Sequence, residues 1–195
     1  LFHGGRPWTG EETAKHLLSA GASVTLVDSR RLDGLGGASL KEKLEEKTEP
    51  QAEDGITPAF ERLDAFQAVI VCAMEAADQR GFFTPPRVAA LGAWVERGGA
   101  LMLAENAPAE AHELLPVTRE AAAGDPAGDV RCSARHEVFR GIPEPWPCFS
   151  KGPRAALKPG AQALAVQRAG SGEVLGPYLA LVGRGKGKLL YWNAE

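Results

Sequence analysis

The stretch from Thr84 to Asn106, TPPRVAALGAWVERGGALMLAEN, constrains the fold more than any other part of the chain. Thr84 is placed to cap a helix with its hydroxyl, and Pro85 falls at the first helical position, where a missing N–H costs nothing. Val88, Leu91, Trp94 and Val95 recur at helical spacing and form one apolar stripe, with Arg87, Glu96 and Arg97 on the wet side or at the ends. Such a helix packs one face on a sheet. Gly98 and Gly99 supply the left-handed conformation of a C-terminal cap, and Ala100 to Ala104 then run apolar without alternation, as a central parallel strand does. The residues after such a strand, Glu105 and Asn106, sit at the carboxyl edge of the sheet, where open α/β folds bind ligands.

The rest of the chain supplies neighbours for that strand. Leu1 and Phe2 read as a strand tail running into His3, Gly4 and Gly5, a turn that lets backbone approach a ligand. Thr9 and Glu12 make a capping box for a helix that ends at Gly21, and Ser23 to Asp28 is a β-branched strand. Residues 29–58 form a polar surface excursion. Ala68 to Cys72, AVIVC, is a further continuous apolar strand, followed by a loop from Ala73 to Phe83 that carries Glu75. Pro108 opens a short helix through Glu113, and residues 118–129 form a Gly/Ala/Asp-rich flexible connector. From Val130 onward the pattern is short strands and turns, with Gly183 to Gly187, GRGKG, as a hairpin.

Charge and cysteine usage remove several function classes. A net charge of −3 and a pI near 5.9, with no basic patch, argue against a nucleic-acid surface. No apolar run approaches the roughly 18 to 20 residues of a membrane span, and no signal peptide opens the chain. Because the chain begins at Leu1, it is read as a processed or excised domain whose natural N-terminus is missing. Cys72, Cys132 and Cys148 are odd in number and lack CxxC spacing, which disfavours a disulfide framework and a zinc site; reduced cysteines favour a cytoplasmic setting. Walker and dinucleotide motifs are absent, so no cofactor and no metal are expected.

Parallel-strand carboxyl ends would gather His3, Asp28, Cys72, Glu75, Glu105 and Asn106 in one neighbourhood. Glu75 with Glu105 could share a proton or bind a cation, and His3 could act as base or ligand. The competing reading makes Glu105 a helix cap and Cys72 an inert thiol within a buried strand. His136, in RHEVFRGIP, is either held toward the sheet edge by Val138 and Phe139 or a turn histidine. His112 and His16 read as surface histidines.

The order AVIVC, PPRVAALGAWVERGGALMLAEN, ELLPV, RHEVFRGIP, KPGAQALA and PYLALVGRGKGKLLYW resembles the class I glutamine amidotransferase-like superfamily. The likeness is to its divergent branches, the trehalose-utilisation-type proteins and amidotransferase-like domains of larger bacterial proteins, and it covers roughly Ala68 to the end. It implies one domain over residues 1–195, α/β and flavodoxin-like: a three-layer sandwich with a mostly parallel central sheet and extra C-terminal antiparallel strands. Active amidotransferases place a nucleophilic cysteine on the turn after the strand matching Ala100 to Ala104, and here that position carries Glu105. A carboxylate there cannot perform thiolate attack, so glutaminase activity is not expected.

Two function readings follow. In the first, the chain is a catalytically degenerate amidotransferase-like domain, a binding or interaction module for a protein partner or the remainder of a larger chain. An exposed apolar patch would then surround Phe82, Phe83, Trp146 or Trp8. In the second, it is an enzyme acting on a carbohydrate or other small polar ligand at the carboxyl edge, with His3, Glu75, Glu105 and His136 converging there and Gly4, Gly5, Asp28 and Asn106 lining the site.

Overall fold

The computed structural model describes residues 2–3, 15, 17–23, 27–28, 60–72, 81–104, 109–119, 128–133, 136, 139, 145–148 and 154–193. Its strands are β1 (Phe2–His3), β2 (Val27–Asp28), β3 (Ala68–Cys72), β4 (Ala100–Ala104), β5 (Val117–Arg119), β6 (Gly128–Cys132), β7 (Trp146–Cys148), β8 (Ala155–Leu157), β9 (Gln162–Ala169), β10 (Val174–Arg184) and β11 (Gly187–Trp192). Helix α1 spans Pro85–Arg97, and short 3-10 helices cover Leu63–Ala65 and Ala109–Leu114. Nine strands form one sheet in the order β2-β1-β3-β4-β11-β10-β9-β6-β7, and β5 pairs with β8 apart from it.

The sheet is mixed, which corrects the expectation of a mostly parallel one. Strands β2, β1, β3, β4 and β11 are mutually parallel, whereas β10, β9, β6 and β7 continue the same sheet in antiparallel pairs. The reason is connection length. Only Gly185 and Lys186 separate β10 from β11, and a short turn closed by Gly172 N–H to Ala169 C=O joins β9 to β10. Turns this short reverse the chain, while a parallel neighbour needs a crossover of a dozen residues or more. The result is α/β with a mixed sheet. Among the described residues α1 alone is a helix of more than two turns.

Helix α1 buries Val88, Leu91, Gly92, Trp94 and Val95, the expected stripe with one glycine added. Thr84, however, makes no side-chain cap bond; its carbonyl accepts from Val88 N–H at 2.9 Å, and the proline at the helix start leaves few N–H groups for a cap to satisfy. Facing the helix, Val69 and Val71 of β3, Leu101 and Leu103 of β4, Leu189 and Tyr191 of β11 and Ala180 of β10 make the floor of the main core. Phe82 and Phe83 belong to that core, 0% and 2% exposed, so they form no exposed patch; their rings meet edge to face at 4.8 Å. A smaller cluster of Val130 and Ala165, with Phe139, Tyr178 and Leu179 packed on it, stabilises the antiparallel half.

The two glycine motifs prove to be one piece of structure. Gly98, at φ 130°, ends α1 by donating to the Trp94 and Val95 carbonyls, and the β10–β11 turn docks on that end. Lys186 N–H donates to Glu96 C=O at 3.0 Å and Lys188 N–H to Gly99 C=O at 3.2 Å. GRGKG is therefore a hairpin turn as expected, at the amino edge of β4 and β11, with its Lys186 amide already engaged. Both described ends of segment 118–129 are strand: Thr118 and Arg119 lie in β5, Gly128 and Asp129 in β6. Here pairing with β8 and β9 overrides the flexible composition. Residues 29–58 lie outside the described residues.

Candidate functional site at the carboxyl edge

From β1 the chain goes to β2 on one side and then to β3 on the other, so the β1/β3 boundary is a topological switch point. Open α/β sheets bind ligands outside the strand carboxyl ends at such points, because the connections diverge and leave a crevice. Strand register defines what stands there. His3 pairs with Asp28 across β1 and β2 and with Cys72 across β1 and β3. Val71 pairs with Leu103, so Cys72 and Ala104 are the next positions along β3 and β4, and Ala104 pairs with Trp192 of β11. One row across five adjacent strands thus reads Asp28, His3, Cys72, Ala104, Trp192.

Alternation assigns Ala104 and Trp192 of that row a face. Val69, Val71, Leu101, Leu103, Leu189 and Tyr191 are buried beneath α1, whereas Ile70, Met102 and Leu190 on the opposite face are half-buried. Positions 104 and 192 continue the second set. Trp192 is 39% exposed, one of the few large apolar side chains open to solvent among the described residues. It is held in place from both sides. Its ring meets Tyr178 edge to face at 6.4 Å, and Asn193 behind it is buried, donating its N–H to Tyr178 C=O and accepting from Tyr191 Oη at 3.1 Å. A fixed aromatic ring beside a small residue and polar strand ends is suited to a polar ligand that has an apolar face.

The other expected residues divide as follows. Gly4, Gly5, Glu75, Glu105 and Asn106, with Trp8, lie outside the described residues. His136 is exposed and follows β6, whose direction is opposite to the parallel strands; the carboxyl end of β6 thus lies at the other edge of the sheet. It is also six strand positions from β1, on the order of 30 Å across the sheet. His136 is not brought beside His3. Sequence reasoning missed Trp192 because KLLYW reads as a strand end, and only its register with Ala104 places it on the ligand edge.

Charge is concentrated elsewhere. Partial burial, reinforced by the charges of Arg119 and Lys158, holds the His112 imidazole below its ordinary range, and burial does the same to the Lys158 ammonium, whose Nζ donates to His112 C=O. These groups surround the 3-10 helix on the α1 side of the sheet, beside the Arg184–Glu96 ion pair at 3.0 Å, and form no part of the carboxyl-edge row.

No protein-family model matches the chain, and no curated protein matches it by sequence. Solved structures do resemble it. A cytoplasmic protein from Salmonella typhimurium LT2, STM1381, superposes with a TM-score of 0.64 at 16% identity, over 95% of this chain and 76% of that one. A second Salmonella typhimurium cytoplasmic protein, STM3548, gives 0.62 at 13% identity, over 93% and 74%. The exo-beta-1,4-mannosidase Op5Man5 from Opitutaceae bacterium strain TAV5 gives 0.50 at 15% identity; the match takes in 91% of this chain but only 24% of the mannosidase. At these identities the likeness is one of fold.

Proposed function

We propose that the chain is a binding module, catalytically degenerate as an amidotransferase, that holds a small polar ligand of carbohydrate type at the carboxyl edge of its parallel strands. The observation that carries this reading is Trp192, exposed, braced by Tyr178, and in line with Ala104 and the switch-point positions His3 and Cys72. Sugar rings present C–H faces that stack on an indole and hydroxyls that seek strand-end polar groups. The flavodoxin-like three-layer arrangement and the amidotransferase-like ancestry belong to the same proposal. In support, a similar fold makes up about a quarter of a longer carbohydrate-acting chain, as a module would.

The test is a titration of the full chain with a panel of neutral mono- and disaccharides, following backbone amide shifts. Saturable shifts at Ala104, Trp192 and Asn193, with affinity reduced about tenfold or more in Trp192→Ala, are expected. Shifts that miss this row, or binding indifferent to Trp192→Ala, would sink the reading. Glutamine should yield no ammonia with the protein; measurable glutaminase turnover would contradict the degenerate assignment.

A further inference from the structure

We infer that Tyr178, the extra residue of a β-bulge in β10, is the positioning residue that fixes the Trp192 indole and so makes the site select cyclic sugars over open-chain polyols. The inference rests on the module reading above and adds what sets its selectivity. Its ground is a break in strand register. Pro177 pairs with Val166 and Leu179 with the adjacent residue of β9, Ala165, so Tyr178 is one residue more than β9 supplies between them. A bulge of this kind re-aims a side chain, because strict alternation is suspended at the extra residue.

The faces of the sheet show the effect. Ala180 and Tyr191 pair with each other and both lie in the main core beneath α1, so Leu179 and Trp192, the next pair along, look to the opposite face. Strict alternation would turn Tyr178 back toward α1. Instead it packs with Leu179 on the cluster of Val130 and Ala165, and Ala165 is the register partner of Leu179 on that opposite face. Two consecutive residues thus share one side, and the Tyr178 ring meets the Trp192 indole at 6.4 Å and 78°. The backbone adds to the hold: Tyr178 C=O accepts from Asn193 N–H at 2.8 Å, one residue past the indole, and Asn193 Oδ1 accepts in turn from Tyr191 Oη. Trp192 still keeps 39% of its surface exposed, so the indole is fixed without being covered. An indole free to pivot can follow a flexible chain, whereas one held at a set angle favours a ligand whose C–H groups already lie in one surface. A pyranose ring presents that surface preformed; an open-chain polyol must freeze several torsions to imitate it, at a cost in affinity.

Two measurements on the full chain decide the matter. In the ligand-free protein, the Trp192 indole N–H resonance, assigned by its loss in Trp192→Phe, is expected to move in Tyr178→Leu, which keeps an apolar side chain on Val130 and Ala165 but removes the ring. Tyr178→Phe, which restores the ring without the hydroxyl, should return it toward the wild-type position. Glucose and sorbitol, its open-chain reduction product, are then titrated. Wild type and Tyr178→Phe should prefer glucose by about tenfold or more, and Tyr178→Leu by less than about threefold. An indole resonance that Tyr178→Leu leaves in place overturns the inference. In the unmodified chain, cross-relaxation between the Tyr178 and Trp192 rings is expected; its absence, or a wild type that binds sorbitol as well as glucose, overturns the inference without recourse to any variant. Saccharide binding and preference that Tyr178→Leu leaves unchanged remove this inference and spare the module reading, while a wild type that binds neither glucose nor any other saccharide removes both.

Discussion

Gly187 shows how little room the chain leaves where its two glycine motifs meet. A Cβ at that position would stand 2.1 Å from the Val95 carbonyl oxygen and 2.2 Å from that of Gly99, both of them backbone atoms that cannot swing aside. Gly99 is similar, with the Trp94 ring 2.3 Å from the place of its missing Cβ. We expect Gly187→Ala to cost about 2–4 kcal/mol, because relief requires moving the end of α1 off the sheet. Gly183→Ala, whose Cβ meets nothing within 4 Å, should change stability by less than about 1 kcal/mol. Urea unfolding of the pair checks this, and equal midpoints would show that the helix end is not pinned there. Strain from close approach, more than conformational freedom, explains the glycine at this residue.

At the scale of the element, α1 is the one described helix whose removal would open the main core. Leu91 is 0% exposed at the middle of its buried stripe, and Leu91→Ala should cost about 2–5 kcal/mol, the range for large-to-small changes in packed interiors. The same helix carries the Arg97–Asp64 ion pair at 2.7 Å, with side chains 56% and 74% exposed. Water screens such a pair, so Arg97→Ala should cost no more than about 1 kcal/mol. Thermal melts of both variants decide the order. A larger loss for Arg97→Ala would mean that the helix is held by its C-terminal charge and not by its buried face.

For the whole molecule, the decisive fact is the union of a parallel half and an antiparallel half in one sheet through β11, parallel to β4 on one side and antiparallel to β10 on the other. Central strands exchange their amide protons only when the sheet opens, while edge strands fray. Native-state exchange should therefore be slowest in β4, β11 and β10 and at least about tenfold faster in the edge strand β7. Uniform protection from β7 to β4 would indicate that another element covers the β7 edge. Fast exchange across all of β10 and β9 would show that the antiparallel half opens as a separate unit.

Local pattern determined the parts whose physics is local. The Thr84 to Asn106 stretch yielded a helix with its buried stripe, its glycine stop and the strand after it, because periodicity and φ preference act within a few residues. The GRGKG hairpin was legible for the same reason. Aromatics were not: Phe82 and Phe83 looked available for a partner but fill the core, since the burial of a residue between two elements depends on what packs over it. The same holds for the candidate site. Sequence could propose that His3, Asp28 and Cys72 share an edge, yet it had no means to set their register, to add Trp192 from the far end of the chain, or to send His136 to the opposite edge. Side-chain types and helix and strand tendencies are written along the chain. Which residues become neighbours is set by pairing between strands distant in sequence, and only the tertiary structure decides that.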